Sequence, residues 1–202
     1  MKICVVTSQY GDFWSGLGTY ATNLINGLAA AGHTVSVICP GADRSKAPPT
    51  VNFLDSSSIT VKPHMSSWLM IAWQANRLVQ RLLAKQKFDV VHFADAREAL
   101  FCRSSKALIV GMMNDYYFVE AVKNPLYYHR YYTDWLPRWL FYNLSRLIER
   151  HAIRSLPLVL TNTDYVTHSL IKNYGASPKK VHTVYYGLGA PLASENVNKA
   201  EP

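Results

Sequence analysis

Cysteine, acidic side chains and long apolar runs are all scarce in this 202-residue sequence, and each scarcity excludes something. The three cysteines, Cys4, Cys39 and Cys102, have no metal-ligand spacing. Cys4 and Cys39 fall inside strand-like segments, where a thiol packs as a small hydrophobe, so neither a disulfide framework nor a zinc site is indicated. The longest uninterrupted apolar run, Trp68 to Trp73, is far shorter than a bilayer span. Met1-Lys2-Ile3 passes directly into a strand-like segment instead of a signal-peptide pattern, so the expected location is cytoplasmic. Asp and Glu number 13 against 21 Lys and Arg, a net charge of +8. Such an excess implies an anionic partner: nucleic acid, an anionic bilayer surface or a phosphorylated substrate. No recognition-helix pattern, zinc-finger spacing or aromatic RNA-binding signature accompanies the basic residues, so nucleic acid is not expected among the partners.

What is present is an alternation of strand-like and helix-like segments along nearly the whole chain, the pattern of a parallel sheet covered by helices. The strands expected are Lys2–Thr7, Thr34–Cys39, Val51–Leu54, Val90–Phe93, Ala107–Met112, Leu158–Thr161 and Val181–Tyr185. A first helix, Gly18 to Ala31, carries Tyr20, Leu24, Ile25 and Leu28 on one face, with Gly32 placed to end it. A second, Ser67 to Lys87, turns Leu69, Trp73, Leu78, Val79, Leu82 and Leu83 inward and leaves Arg77, Arg81 and Lys85 on a solvated face. Pro137 opens a third that continues to Ser155, with Leu140, Leu144, Leu147 and Ile148 as its apolar face and Arg146, Arg150 and Arg154 opposite. A last helix starts after Thr163 as N-cap and stops at Tyr174-Gly175. The tail Ala193 to Pro202 is polar and lacks periodicity.

Between the first strand and the first helix lies Ser15-Gly16-Leu17-Gly18-Thr19-Tyr20. Glycines at a helix N-terminus let backbone N–H groups approach an anion, and the helix dipole favours negative charge there. Gly16, Gly18 and Ala21 satisfy the dinucleotide fingerprint in form. Two features oppose that reading: Ser8 to Ser15 separate the strand from the glycines, and the second strand ends in Pro40-Gly41 instead of the acidic residue a ribose requires. A glycine loop that merely lets the helix pack close to the sheet is the competing structural explanation.

Taken together, these landmarks resemble the N-terminal, acceptor-side domain of family 4 glycosyltransferases, whose GT-B architecture pairs two Rossmann-like domains. The resemblance rests on Ser15 to Tyr20, on Ala31-Gly32-His33-Thr34-Val35-Ser36-Val37 and on Asp89-Val90-Val91-His92-Phe93. Val110 to Tyr116, Leu160 to Val166 and Lys180 to Gly187 complete it. It implies an α/β fold over residues 1–190, with 191–202 starting an interdomain linker and a C-terminal nucleotide-sugar domain absent from the chain. The implied activity is retaining transfer of a sugar from a nucleotide-sugar to a glycan, glycolipid or other acceptor, with no cofactor and no metal. The fragment alone is expected to be inactive.

The resemblance also implies roles residue by residue. Ser15, Gly16, Leu17 and Gly18 occupy the loop whose backbone approaches the donor diphosphate, with Ser15 where the family usually has another glycine. Asn114 falls where many members place a histidine that contacts the donor sugar; its amide hydrogen-bonds but does not titrate. Asp115 stands at the same strand end, either binding sugar hydroxyls or stabilising the loop. Tyr10, His92, Asp95, Tyr116 and Tyr117 are assigned to the acceptor side of the cleft, and for His92 a buried structural role is favoured over a ligand role. His33 reads as a surface turn residue, and Gly187 lies on the hinge side.

From Tyr116 to Tyr142, aromatic residues alternate with Lys123, Arg130 and Arg138. That composition suits the headgroup zone of an anionic membrane, the stacking of sugar rings, or simple packing under a long loop. Two rivals to a transferase stand: a non-catalytic sugar- or partner-binding module, kept open by Asn114, and a nicotinamide-dependent oxidoreductase domain, opposed by the loop length and the missing acid.

Overall fold

The structure is a computed structural model that describes residues 1–11, 15–59, 67–104, 106–116, 122 and 125–186, without the side chains of Ser67 and Trp68. Its strands are β1 (Lys2–Val6), β2 (Thr34–Ile38), β3 (Asn52–Phe53), β4 (Val90–Phe93), β5 (Leu108–Met113), β6 (Leu158–Thr161) and β7 (Val181–Thr183). The helices are α1 (Gly16–Ala30), α2 (Ser67–Lys85), α3 (Pro125–Tyr131), α4 (Trp135–Ser155) and α5 (Asp164–Tyr174). The strands form one parallel sheet in the order β3-β2-β1-β4-β5-β6-β7, in which Val5 lies opposite Val37 on one side and His92 on the other. This is the expected α/β class.

Local chemistry sets the element ends. Ser15 sits in extended conformation before α1 and its Oγ accepts from the Gly18 N–H at 3.0 Å, so the helix begins at Gly16, ahead of the expected Gly18. Thr163 caps α5 by accepting from the Val166 N–H, and Gly175 ends it at φ +65°, the left-handed conformation that glycine adopts without cost.

Right-handed crossovers decide which face each helix covers. The step from β1 to β2 puts α1 on one face; the steps through α2, α3 and α4, and α5 run the other way across the sheet and fall on the opposite face. Packing follows that division. One core joins Ile71, Val79 and Leu83 of α2, Ile153 of α4 and Leu170 of α5 to Val91, Ile109 and Val159 of the sheet, while the second gathers Ile25 of α1 with Ile3, Val5, Val35 and Val37. On the α1 face of β5 and β6, Val110 and Met112 are buried, Leu108 is 44% exposed, and Leu158 and Leu160 are half-buried.

Two helix faces differ from expectation. Trp73 of α2 is exposed, with the Arg77 guanidinium 4.9 Å from its ring centroid, and Ala72 and Ala75 take the inward positions. In α4 the expected orientation is inverted: Ser145, Glu149, Ala152 and Ile153 are buried, whereas Leu136, Leu140, Leu144 and Leu147 are 46%, 52%, 58% and 53% exposed. Arg150 and Arg154 are exposed as well. On the buried side the Glu149 carboxylate accepts the Tyr174 hydroxyl and lies 4.0 Å from the Arg97 guanidinium.

Gly111 in β5 marks the tightest point of the sheet. A Cβ there would meet Leu156 Cδ1 at 2.7 Å and Ala96 Cβ at 2.9 Å. Gly111→Ala is expected to destabilise the fold by about 2 kcal/mol through overpacking, read from the denaturation midpoint at constant m-value.

Candidate functional site

The carboxyl ends of the strands, the α1 N-terminus and the chain after β7 meet around a cavity of about 570 Å³. Gly16, Tyr20, Met112, Leu160, Val184 and Tyr186 contribute to its walls. Gly16 is exposed, and a side chain added there would meet no atom within 4 Å. The described packing leaves room for a side chain at this position. Gly18 differs: it is buried and its N–H is taken by Ser15 Oγ, so it does not face a ligand as expected. Thr19 N–H is likewise held, by Ser15 O at 3.1 Å. Gly16 and Leu17 are left as the first-turn N–H groups that α1 cannot satisfy internally, at the positive end of its dipole.

A chain of polar contacts links β4 to β5 across this opening. His92 Nε2 pairs with the Tyr20 hydroxyl at 2.9 Å, Tyr20 stacks on Tyr186 with centroids 4.9 Å apart, and the Tyr186 hydroxyl donates to Asn114 Oδ1. Asn114 Nδ2 reaches the Ala94 carbonyl at 3.4 Å, and its own carbonyl accepts from Asn162 Nδ2 at 3.2 Å. Beside it the Tyr185 hydroxyl donates to Asp164 at 2.5 Å, fixing the segment after β7. Burial holds His92 down at about 4, hence neutral, and pushes the Tyr20 hydroxyl up, so both stay uncharged at neutral pH. The favoured structural role for His92 agrees with this geometry. Tyr20 and Tyr186 carried no site assignment; the amphipathic period of α1 pointed Tyr20 at the core.

Arg97 organises the acidic side of the opening. Its guanidinium holds Asp95 through Nε to Oδ1 at 2.9 Å and Nη2 to Oδ2 at 2.8 Å, and Nη2 also reaches Asp115 Oδ1 at 3.0 Å. Asp95 further caps the turn Ala96–Ala99 by accepting from the Arg97 N–H. Both carboxylates thus share one cation that sequence reasoning missed, the only signal being its position two residues after Asp95. The next residue, Glu98, is buried, and burial followed by the Asp95 charge pushes its carboxyl well above the usual range. Tyr116 meets the Tyr174 ring edge-on at 6.1 Å and its hydroxyl reaches the Tyr165 hydroxyl at 3.5 Å. Tyr10 does not belong to the cleft: it is 1% exposed, with its hydroxyl on Asn26 Oδ1 at 3.0 Å and its ring edge-on to Phe53. Phe53 and the Asn26 acceptor hold it in the α1-side core. Tyr117 and Gly187 lie outside the described residues. Among the described residues no group of His, Cys, Asp or Glu is placed to hold a metal ion, and the cysteines are free, buried thiols pushed up to about 12.

The sequence model of glycosyltransferase family 4 matches residues 14–188, from the loop before α1 to the end of the segment after β7. The chain belongs to glycosyltransferase family 4. Among solved structures, a sucrose-phosphate synthase from Thermosynechococcus elongatus is similar at 12% identity and TM-score 0.64, covering 93% of this chain and 48% of its own. WaaG, a glycosyltransferase involved in lipopolysaccharide biosynthesis, is similar at 19% identity and TM-score 0.58, covering 90% and 44%. HepE from Anabaena, solved with UDP and glucose, is similar at 16% identity and TM-score 0.50, covering 93% and 45%. At these identities the likeness shows the GT-B fold, and the chain spans about half the length of each protein. No curated protein sequence matches it.

Within this family 4 domain, His92 supplies a pH signature. Its folded pKa of about 4 lies below the unfolded 6.5, so as pH falls through that interval the unfolded state takes up the proton first and stability is lost. Relative to His92→Gln, the wild type is expected to lose about 3 kcal/mol between pH 7 and pH 4, measured by denaturation of both at each pH. Parallel profiles for the two proteins would show that His92 protonates freely in the fold.

Proposed function

We propose that the chain is the N-terminal, acceptor-side half of a retaining glycosyltransferase that moves a sugar from a nucleotide-sugar to a glycan, glycolipid or other acceptor in the cytoplasm. The observation that carries this reading is the position of Gly16: exposed, at the N-terminus of α1 and on the wall of an apolar cavity. The Gly16 and Leu17 N–H groups are the donors that would receive the developing charge of the leaving diphosphate. The Asn114 amide would contact the donor sugar after exchanging its Tyr186 hydroxyl for a sugar hydroxyl, and Arg97 would hold Asp95 and Asp115 in fixed orientation for the acceptor. This assignment places the work in positioning and charge stabilisation, and gives this half neither metal nor cofactor.

A second domain is part of the proposal. The exposed Leu108 and the half-buried Leu158 and Leu160, the last on the cavity wall with Val184 to Tyr186, support a covering element supplied from the rest of the enzyme. The solved relatives, about twice as long as this chain, agree with that reading. A non-catalytic sugar-binding module is the second reading, favoured by one observation: the Asn114 side chain stands in place of a histidine with both of its polar atoms already engaged.

An assay of the full-length protein against UDP-, GDP- and ADP-sugars separates the two. Transfer or hydrolysis is expected with at least one donor. Gly16→Val is expected to lower kcat/KM at least about tenfold, equivalent to ~1.4 kcal/mol, with an unchanged unfolding midpoint because no protein atom occupies that space. No turnover with any donor would favour the binding module, and full activity of Gly16→Val would remove the α1 N-terminus from the donor site.

A further inference from the structure

The outward face of α4 has the composition of an interfacial membrane helix. Leu136, Leu140, Leu144 and Leu147 recur at spacings of four, four and three residues, which places them in one stripe along the helix. All four are about half exposed, while the buried side of the same helix carries Ser145 and Glu149. A helix that serves only its own domain points the other way. The stripe runs into cations at its C-terminal end: Leu147, Arg150, His151, Arg154 and Ser155 line a surface pocket of about 440 Å³. Arg150 Nε donates to the Tyr174 carbonyl at 3.1 Å, which holds that guanidinium at the rim.

The neighbouring helix α3 extends the same chemistry. Leu126, Tyr127 and Tyr131 are exposed, the Arg130 guanidinium lies 5.7 Å from the Tyr131 ring, and that of Arg138 lies 4.5 Å from the Tyr132 ring. Acids are nearly absent: from Pro125 to Ser155 the sequence holds Asp134 and Glu149 alone, the first bonded to Arg138 at 3.0 Å and the second buried. A protein partner needs no such one-sided charge, whereas an anionic headgroup layer does, and aromatic side chains with arginines suit its depth. Among the described residues no helix is long and apolar enough to cross a membrane, so the contact is in plane.

We propose that α4 lies along the surface of an anionic lipid bilayer, with the Leu136, Leu140, Leu144 and Leu147 stripe entering the acyl boundary and Arg150, His151 and Arg154 meeting lipid phosphates. The surface stands on the exposure and charge of α3 and α4 and does not depend on the transfer reaction. If the proposed function holds, it also brings the enzyme to lipid-linked acceptors, because α4 starts on the connection that leaves β5 beside Asn114 and Asp115.

Co-sedimentation of the 202-residue chain with vesicles tests it, using phosphatidylcholine alone and phosphatidylcholine with added phosphatidylglycerol. Wild type is expected to pellet with the anionic vesicles and to be released by high salt. Leu140→Ser with Leu144→Ser is expected to weaken binding at least about tenfold without lowering the melting temperature, since both side chains are half in water already. Arg154→Glu is expected to lose the preference for phosphatidylglycerol. Failure to bind either vesicle, or binding unchanged in both variants, would overturn the proposal. So would self-association in sedimentation velocity that the leucine variant abolishes while vesicle binding is absent, since the stripe would then be an interface between copies. Donor turnover is not read in this experiment, so its outcome is separable from that of the transferase reading.

Discussion

The structure depends on how Glu149 is kept in the interior. A carboxylate with no exposed surface is tolerable only beside partners, and the Tyr174 hydroxyl and the Arg97 guanidinium provide them. The pairing involves the buried side of α4. It also ties that helix to α5 through Tyr174 and to the turn after β4 through Arg97. The same guanidinium reaches Asp95 and Asp115 at the rim of the opening, so the polar interior and the acidic side of the site share one cation. Leu136, Leu140, Leu144 and Leu147 of the same helix lie on its outer surface.

Features set by neighbouring residues were legible in the sequence. The strand order of apolar segments, the Thr163 cap, the Gly175 stop and the parallel α/β class follow from local chemistry and from periodicity, and the structure agrees with them. The face of α4 was not legible. Leucines at Leu140, Leu144 and Leu147 form a better apolar stripe than Ser145, Glu149, Ala152 and Ile153, and periodicity selects the better stripe. Arg97, which lies beside the buried Glu149, belongs to a different element. Tyr10 shows the same limit: a tyrosine in a loop near a glycine turn reads as a ligand contact until Asn26 and Phe53 are seen beside it.

At the proposed site the structure distinguishes among the residues of the turn that the resemblance singled out. Ser15, standing where a further glycine is usual, uses its hydroxyl to satisfy the Gly18 N–H and thereby removes Gly18 from the available donors. Gly16 keeps its open space, and Gly16 and Leu17 keep their first-turn amides. Asn114 is held by Tyr186, which stacks on Tyr20. Tyr186 also precedes Gly187, the residue assigned to the hinge side.

The central claim is that the N-terminus of α1 is half of a diphosphate site, open until a second domain completes it. The most direct measurement is a titration of the 202-residue chain with UDP, GDP and ADP followed by amide NMR. The account predicts weak binding, with Kd on the order of 1 mM or higher, and shifts concentrated at the Gly16 and Leu17 N–H resonances with the Gly18 N–H little changed. Tight binding by this chain alone, or shifts confined to another part of the surface, would contradict it.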